Sequence, residues 1–336
     1  MKKIEKSKKT NLIRKIFIKI CRIIGFEIID QSNFSSPTLG KELHDTLSVQ
    51  GKKSITIPLG QIDIKKKVES LKIIVRTCTS ELIMDQNKRR IFDCEKNEYT
   101  FRTLRSLIKS INNAKKKFEN ISFELIVTDT NSPDKDLKII KEILKSSEVK
   151  NKVISINLKE FKDKIKDGYS KAKFSNMANF YNSLLNKKNE KKDLIYFVED
   201  DYLHFDYALE EMIGTYERIS SQLGKDLFIC PADYPFLYMG NEKTNLLIGN
   251  KRHWRTISKT LCTFMTSKEI LDKYWENFYQ NCLDRHDPFE KHLNEIYKKE
   301  VCISPVKSLS IHITNVNSSY GLSPFIDYKK LWEENE

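Results

Sequence analysis

The sequence lacks any uninterrupted apolar run of the ~20 residues that a helix needs to cross a bilayer. Its seven cysteines include no Cys-x-x-Cys pair, and their odd number argues against a disulfide framework or a zinc module. A signal peptide is not predicted either, because Arg14, Lys15, Lys19 and Arg22 interrupt the apolar residues near the N-terminus. Together these absences favour a cytoplasmic protein in a reducing compartment.

Recognition patterns of two other protein classes are also missing. No Gly-x-Gly-x-x-Gly turn follows the first predicted strand, where the chain reads Arg76-Thr77-Cys78-Thr79, so a Rossmann-type dinucleotide or methyl-donor enzyme is disfavoured. No RNP-like, KH-like or zinc-finger pattern occurs, and the basic residues are not interleaved with aromatic ones. A non-catalytic nucleic-acid-binding protein therefore stays an alternative on the ground of charge alone.

What the chain does have is a strong basic excess. Its 336 residues carry a formal net charge of +13, which favours an anionic partner such as a membrane surface, a nucleic acid or a phosphorylated substrate. The basic residues are densest near the N-terminus, where residues 11–29 also place apolar side chains at helical spacing. We predict a basic amphipathic helix that either lies on an anionic membrane surface or docks on the domain with its charges solvated.

The order of predicted elements indicates an α/β fold. Strands over 71–75, 123–128, 152–158 and 193–199 alternate with helices over 100–116, 135–145 and 173–185, and this alternation predicts a mostly parallel sheet flanked by helices. A helix over 206–221, a strand over 226–230 and a helix over 267–279 follow. We predict four segments: an N-terminal helix over 1–29, a linker or surface arm over 30–69, one catalytic domain over 70–315 and a tail over 316–336.

Three adjacent acids end the fourth predicted strand. Glu199-Asp200-Asp201 follows a buried apolar run, and three carboxylates placed together repel one another and resist desolvation. A divalent cation relieves that repulsion, and Mg²⁺ or Mn²⁺ prefers carboxylate oxygens and substrate phosphates as ligands. Because ligands bind beyond the carboxyl ends of strands in such sheets, we predict a metal-diphosphate site there. The alternative is a solvated turn or an acidic cluster that starts the next helix.

The chain resembles a family 2-like glycosyltransferase of GT-A fold. Four segments carry the resemblance: 72–77 as the first strand, 124–134 as the second strand with its acidic turn, 168–179 before the central strand, and Glu199-Asp200-Asp201 as a variant of the Asp-x-Asp metal motif. The resemblance covers about residues 70–315 and implies a nucleotide-sugar donor, a glycan or glycolipid acceptor, and Mn²⁺ or Mg²⁺.

The resemblance also implies roles for individual residues. Asp201 would be the direct metal ligand, while Glu199, on the same face of an extended chain, would contact the sugar or a metal-bound water. Asp129 would accept hydrogen bonds from the base, Asp200 would face the ribose, and Arg76 would lie beside the nucleotide. The implied donor-binding set is Arg76, Thr77, Asp129, Glu199 and Asp200. From the residues alone, Asp129 is better explained as a turn residue, and Arg76 is equally explained as a surface ion-pair partner.

An inverting transfer needs a base that takes the proton of the acceptor hydroxyl. Asp287 matches the family's placement of this base at a helix start, and Glu290 is the second candidate. Asp287 before Pro288 is also a strong helix-start signal, so a capping role is open for it, and Glu290 fits a capping box. His312 follows as a candidate for the metal or the diphosphate, or as an ordinary core histidine.

Three further residues are candidates for acceptor binding. Trp254 is placed to stack on a sugar, and Arg255 to hold phosphate, in a polar-aromatic loop after Gly249. Asp233 follows a predicted strand and is placed to line the acceptor cleft. The alternatives are a surface loop with a buried tryptophan and a plain turn. A metal-dependent phosphoryl-transfer enzyme or nuclease would use the same acids and is the main rival function.

Overall fold

The computed structural model describes residues 12–26, 62–80, 90–185, 193–239, 244–284, 289–313 and 319–336. The strands are β1 (Ser70–Thr77), β2 (Ser122–Asp129), β3 (Lys150–Ser155), β4 (Leu194–Glu199), β5 (Tyr202–His204), β6 (Phe228–Ile229), β7 (Leu246–Ile248), β8 (His253–Thr256), β9 (Phe264–Ser267), β10 (Cys302–Pro305) and β11 (Ser310–His312). The helices are α1 (Leu12–Ile23), α2 (Lys96–Lys117), α3 (Asp134–Leu144), α4 (Lys171–Leu185), α5 (Ala208–Leu223), α6 (Lys268–Lys273), α7 (Trp275–Leu283), α8 (Lys291–Tyr297) and α9 (Tyr328–Glu333).

Among the described residues, nine strands form one sheet in the order β3-β2-β1-β4-β9-β6-β10-β8-β7. The first four strands are parallel, because β1 pairs in parallel with β2 and β4, and β2 with β3. Strand β9 then runs antiparallel to β4, and the second half of the sheet is mixed. The α/β class and the parallel sheet that the alternation of elements predicts are confirmed.

The main apolar core extends over both halves of the sheet and includes residues of β1, β2, β4, β6 and β9. Strand β1 is buried along its whole length, as expected for a strand with neighbours on both edges and helices on its faces. Helix α4 packs on β1 and β2. Helix α2 buries the apolar face that its sequence spacing predicts, which consists of Leu104, Leu107, Ile108 and Ile111.

A second, smaller apolar cluster holds the C-terminal segment against the domain. The Trp332 ring of α9 stacks on Phe92 with centroids 4.1 Å apart and lies 4.9 Å from the ring of Tyr99. The Arg102 guanidinium of α2 lies 4.5 Å from the Trp332 ring centre, and its Nη1 donates to the Trp332 carbonyl at 2.7 Å. The segment over 316–336, expected as a tail, therefore includes a packed helix, α9.

Two predicted helix boundaries are wrong. The helix expected over 267–279 is two helices, α6 and α7, which meet at Tyr274. Ser267 caps α6, and its hydroxyl accepts a hydrogen bond from the Ile270 amide at 3.2 Å. The helix expected to start at Asp287 begins at Lys291, with Glu290 at the cap position and no side-chain capping bond there.

Helix α1 confirms the helix predicted near the N-terminus and exposes its apolar face. Apart from half-buried Ile18, its large apolar side chains and the two that follow the helix are 51% to 77% exposed: Leu12, Ile13, Ile16, Phe17, Ile20, Ile23, Ile24 and Phe26. In the part of the chain that the structure describes, no helix is long and apolar enough to span a membrane.

Candidate active site

The carboxyl ends of three neighbouring parallel strands meet at one edge of the sheet. In the register of β1 with β2, Thr77 lies opposite Asp129, and in that of β1 with β4, Arg76 lies opposite Glu199. Asp200 and Asp201 follow β4 directly. We call the set Asp129, Glu199, Asp200 and Asp201 the acidic edge. The parallel register thus brings Thr77 and Asp129 together, although they are 52 residues apart in the sequence.

Asp129 is buried in a turn that its own carboxylate organises. Its Oδ1 accepts hydrogen bonds from Thr77 Oγ1 at 2.7 Å and Ser132 Oγ at 2.5 Å, and its Oδ2 accepts from the Ser132 amide at 3.1 Å. Burial raises the pKa of Asp129, and the hydrogen bonds from Ser132 and Thr77 oppose that shift. A carboxylate has about four acceptor positions, so these bonds leave about one for a ligand N–H. Asp129 is therefore a turn residue in this structure, and its binding of the nucleotide base stays a prediction.

Asn179 of α4 ties the ends of β1 and β2 together. Its amide nitrogen donates to the carbonyls of Thr77 at 3.1 Å and Thr128 at 2.9 Å, and its side-chain oxygen accepts from Thr128 Oγ1 at 2.7 Å. A buried amide with all of these bonds made fixes the spacing of the two strand ends. The resemblance placed Asn179 in the segment before the central strand but gave it no contact.

Arg76 and Glu199 form a cross-strand ion pair, with Nη2 donating to Oε1 at 2.8 Å. The same nitrogen lies 3.4 Å from the Cys262 carbonyl oxygen, and the guanidinium lies 4.7 Å from the ring centre of Phe180. Arg76 Nε and Nη1 are buried without a hydrogen-bond partner in the described part of the chain. Unsatisfied donors on a buried cation favour an anionic ligand. Burial raises the pKa of Glu199 to about 7, opposed by Arg76 and reinforced by Asp201.

Asp200 is held by the start of α2. Its Oδ2 accepts hydrogen bonds from the Cys78 amide at 3.2 Å and Thr100 Oγ1 at 2.9 Å, and it lies 3.5 Å from Lys96 Nζ. These contacts anchor the middle acid to the helix. Sequence reasoning missed Lys96, because the polar first turn of α2 carries no apolar periodicity and the predicted helix started four residues later.

Asp201 lies between two cationic side chains. Its Oδ2 is 3.2 Å from both His312 Nε2 and Arg90 Nη2. His312 Nδ1 lies 2.8 Å from the Tyr320 carbonyl, to which it donates, and the imidazole stacks on Tyr202 with centroids 4.8 Å apart. Burial lowers the pKa of His312, but Asp201 outweighs burial and raises it to about 9. In turn His312 and Arg90 hold the pKa of Asp201 below its usual range despite its burial.

Asp201 and His312 fit a divalent cation through one further observation. Asp201 Oδ1 is buried and has no hydrogen-bond partner among the described residues, so one carboxylate oxygen remains for a ligand. No group of three or more His, Cys, Asp or Glu side chains suited to a metal occurs within those residues. Mg²⁺ usually keeps several waters and is held by one or two carboxylates plus substrate phosphates. Asp201 and His312, whose Nε2 must give up its proton in order to ligate, therefore fit a cation that binds together with phosphates.

A chain of contacts runs from this pair toward β9. The Tyr202 ring under His312 places its hydroxyl 2.6 Å from the Tyr234 hydroxyl, and Tyr234 donates to the Thr260 carbonyl at 3.2 Å. Thr260 Oγ1 donates to Glu290 Oε1 at 2.9 Å. These contacts connect the loop that precedes β9 to His312 and, through His312, to Asp201 of the acidic edge.

Glu290 binds the backbone of this loop. Its Oε2 accepts from the Leu261 amide at 2.9 Å, and its Oε1 accepts from the Cys262 amide at 2.6 Å. Both loop residues have positive φ values, 51° and 57°, a conformation that costs free energy for residues other than glycine. Both carboxylate oxygens of Glu290 are thus engaged, whereas Asp287, the first candidate for the base, lies outside the described residues.

Two of the three acceptor-binding candidates contact each other. Arg255 Nη2 forms an ion pair with Asp233 Oδ1, and Tyr238 donates to Asp233 Oδ2 at 2.5 Å. Asp233 and Arg255 are both buried, so each largely neutralises the other. Contact of this pair with an acceptor stays a prediction.

The sugar-stacking role expected for Trp254 is wrong in this structure. The indole is fully buried, its Nε1 donates to Glu211 Oε1 at 3.2 Å, and it packs so closely on Gly249 that any Cβ there would collide with it. A ring enclosed on all sides offers no face to a sugar. The buried-tryptophan alternative is the observed one.

The fold and the acidic edge define an α/β protein with a polar, cation-compatible site at the carboxyl ends of parallel strands. No protein-family model and no curated protein matches the chain. Solved structures similar to it include S. aureus TarS 1–349, with 13% identity and a TM-score of 0.42 over 72% of this chain and 59% of that one. The chain thus spans about three-fifths of the length of that TarS fragment.

Two further similar structures are glycosyltransferases by name. The galactosyltransferase LgtC in complex with donor and acceptor sugar analogs has 10% identity and a TM-score of 0.34 over 69% of this chain and 72% of that one. Apo mouse xyloside xylosyltransferase 1 has 15% identity and a TM-score of 0.35 over 68% and 76%. Similarity this distant assigns no family, so the functional conclusion depends on the geometry of this chain.

Proposed function

We propose that the chain is a GT-A-type, family 2-like glycosyltransferase that transfers a sugar from a nucleotide-sugar donor to a hydroxyl of a glycan or glycolipid. The observation that carries the proposal is the meeting of three parallel strand ends at the acidic edge, with Asp201 Oδ1 and two nitrogens of Arg76 buried there without partners in the described part of the chain. Paired unsatisfied acceptors and donors suit a ligand that brings both a cation and an anion.

Different residues at and beside the acidic edge would bind different parts of the nucleotide-sugar donor. Asp201 and His312 would hold Mn²⁺ or Mg²⁺, which when bound neutralises the diphosphate that leaves the sugar. Arg76 has donors left for anionic oxygen, and Asp129 has an acceptor position left for a base N–H. Glu199, whose carboxylate is already paired with Arg76, orients that guanidinium. Water exclusion by the surrounding buried residues strengthens each of these interactions.

A base completes the reaction. We assign it to Asp287, and the transfer is therefore inverting: the carboxylate takes the proton of the acceptor hydroxyl as the hydroxyl oxygen attacks the anomeric carbon, and the bond from that carbon to the departing nucleoside diphosphate breaks. Glu290, with both oxygens engaged by the loop before β9, holds that loop rather than taking a proton. Asp287→Asn should reduce turnover by about 10²-fold or more with donor binding unchanged. Near-normal turnover would remove Asp287 from the base role.

The donor half is tested by thermal shift with a panel of nucleoside diphosphates and Mn²⁺ or Mg²⁺. Stabilisation by one nucleotide, dependent on the cation, names the donor class through binding linkage. Asp201→Asn should abolish the shift and the release of nucleoside diphosphate from a nucleotide sugar, whereas Asp206→Asn, an exposed acid nearby in the sequence, should change neither. Phosphodiester cleavage without nucleotide-sugar turnover would favour the rival phosphoryl-transfer function instead.

We also propose that helix α1 binds an anionic membrane surface. At 100° per residue most apolar positions of the helix lie on one half, and the positions of Arg14, Lys15, Lys19 and Arg22 lie on the other half, together with Ile18 and without a single acid. The exposed apolar face and the basic face together suit the boundary between anionic headgroups and acyl chains. A peripheral position would bring the site to a glycolipid acceptor.

Co-sedimentation with vesicles tests the membrane proposal. The full chain should sediment with vesicles rich in phosphatidylserine, less at high salt, and weakly with phosphatidylcholine alone. Ile20→Gln, on the apolar half, should weaken binding about tenfold, as burial of an isoleucine side chain implies. Ile18→Gln lies on the basic half and serves as the matched control. Equal loss in both variants, or no sedimentation of the wild type, would overturn the proposal.

A further inference from the structure

Lys259, a half-buried residue in the loop that precedes β9, lies on two aromatic rings. Its Nζ is 5.2 Å from the ring centre of Phe236 and 5.9 Å from that of Tyr320, and the two ring centres are 5.0 Å apart. Cation–π attraction to both rings holds the ammonium group in place. The Tyr320 hydroxyl, 3.4 Å away, takes one of its three N–H donors, and no other described residue accepts from it.

The acids around Lys259 are already engaged by other groups. Glu290, which holds the same loop, accepts hydrogen bonds from two backbone amides and a hydroxyl of that loop. Asp233, which precedes the turn that carries Phe236, forms its ion pair with Arg255. Lys259 is therefore a half-buried cation that pairs with no carboxylate of the described residues. Because a partly desolvated charge gains from an opposite charge, this position favours an anionic ligand.

The backbone of Tyr320 joins Lys259 to the candidate active site. The Tyr320 carbonyl accepts a hydrogen bond from His312 Nδ1 at 2.8 Å, whereas His312 Nε2 lies 3.2 Å from Asp201 Oδ2. Lys259 thus lies on the Nδ1 side of this imidazole, and the acidic edge lies on its Nε2 side. An anion bound by Lys259 is next to the site without occupying the place assigned to the donor's diphosphate.

We propose that Lys259 binds a negatively charged group of the acceptor, so that the acceptor is an anionic glycan with a phosphate or a carboxylate close to the hydroxyl that receives the sugar. The proposal rests on the proposed function, because it assigns this position to the second substrate of the transfer. A lysine ammonium is a compact charge that binds oxygens of either anion. The two rings beneath it keep water from one side, which strengthens its attraction to that anion.

Isothermal titration calorimetry of the full chain with glucose, glucose 6-phosphate and glucuronic acid tests the charge preference. The wild type should bind at least one of the two charged sugars about tenfold more tightly than glucose, as one charge-assisted hydrogen bond implies, and the tighter one identifies the anion. Lys259→Gln should remove this preference. Lys259→Arg should keep it, because a cation remains on the rings. Equal affinity of the wild type for all three sugars, or no binding of either charged sugar, would overturn the proposal.

Lys164→Gln is the matched control, because Lys164 Nζ makes the same kind of contact elsewhere in the structure, 5.4 Å from the ring centre of Phe161 and 5.9 Å from that of Tyr181. This variant should keep the charge preference. Equal loss in Lys164→Gln and Lys259→Gln would show a general effect of positive charge and would overturn the assignment to Lys259. Weaker binding of inorganic pyrophosphate in Lys259→Gln, with the affinity for charged sugars unchanged, would place Lys259 in the donor site instead and would also overturn it.

Sugar transfer separates this inference from the proposed function. Charge-dependent sugar binding that is lost in Lys259→Gln, without transfer from any nucleotide sugar, would support the anion site and reject the proposed function. Transfer to neutral and charged acceptors at equal rates, unchanged in Lys259→Gln, would overturn the anion site and leave the proposed function intact.

Discussion

Replacing Glu290 by Gln separates a loop-holding role from a catalytic one. The carboxylate is buried and accepts hydrogen bonds from Thr260 Oγ1 and from the amides of Leu261 and Cys262, at 2.9, 2.9 and 2.6 Å. Glutamine has the same shape, but its NH₂ group must face at least one of these amide donors. The backbone amide of Leu261 or of Cys262 then loses its buried acceptor and faces the NH₂ group of the glutamine instead.

The cost follows from the bonds that are lost. A hydrogen bond to a charged group contributes about 1.5–3 kcal/mol, and a buried donor left without an acceptor costs about 1–3 kcal/mol. Relaxation of Leu261 and Cys262 from their positive φ values offsets this cost by about 1 kcal/mol or more. We therefore expect Glu290→Gln to lower the free energy of unfolding by about 3 kcal/mol, and the melting temperature by about 6 °C at ~2 °C per kcal/mol.

Urea unfolding of the wild type and two variants measures this change. Glu295→Gln alters an exposed glutamate of the same helix and should stay within about 0.5 kcal/mol of the wild type. A free energy of unfolding unchanged in Glu290→Gln, together with turnover reduced by about 10²-fold, would refute the loop-holding role and identify Glu290 as the base.

Three further outcomes are expected. Burial lowers the pKa of His204 to about 3, so the folded chain keeps it neutral while the unfolded chain binds a proton below about pH 6.5. The contribution of His204 to the free energy of unfolding is complete above pH 6.5 and falls by about 1.4 kcal/mol per pH unit below it. Between pH 6.5 and 5 the wild type should therefore lose about 2 kcal/mol more of its free energy of unfolding than His204→Gln, as measured by denaturant titrations. Equal pH slopes would contradict this, and exposed His253→Gln is the control. Trp332→Ala should lower the free energy of unfolding in urea by about 3–5 kcal/mol, because it removes a stacked, buried ring. Phe325→Ala, which changes an exposed ring, should lower it by less than about 0.5 kcal/mol. Similar values for the two variants would contradict the packing of α9. Chelation should stop release of nucleoside diphosphate, and added Mn²⁺ should restore it in the wild type but not in Asp201→Asn; full activity in chelator would exclude a metal role.

The parallel half of the fold could be predicted from the sequence because its strands are apolar over most of their length and alternate with amphipathic helices. The short strands β7, β8 and β10 could not, since three or four residues carry little periodicity and their pairing is decided by distant partners. Strand β10 even contains Pro305. The start of α2 at Lys96 was missed because its first turn is polar.

The acids of the candidate site were predictable together with Arg76 and His312, whereas Arg90 and Lys96 were not. Carboxylates at the end of an apolar run are locally unusual, whereas Arg90 and Lys96 are two of 59 basic residues and become distinct only through their positions beside Asp201 and Asp200. Trp254 was misinterpreted because its burial depends on Glu211 and Gly249.

The reversal of direction between β4 and β9 has a consequence for how the site is built. Because Phe264 pairs with Phe197 in antiparallel register, residues that enter β9 lie beside the residues that leave β4. The same edge of the sheet is therefore formed by the exits of β2, β1 and β4 and, beside them, by the entrance of β9. Insertions before β9 would change only the part of the site next to β4, while the three strand exits would keep their spacing.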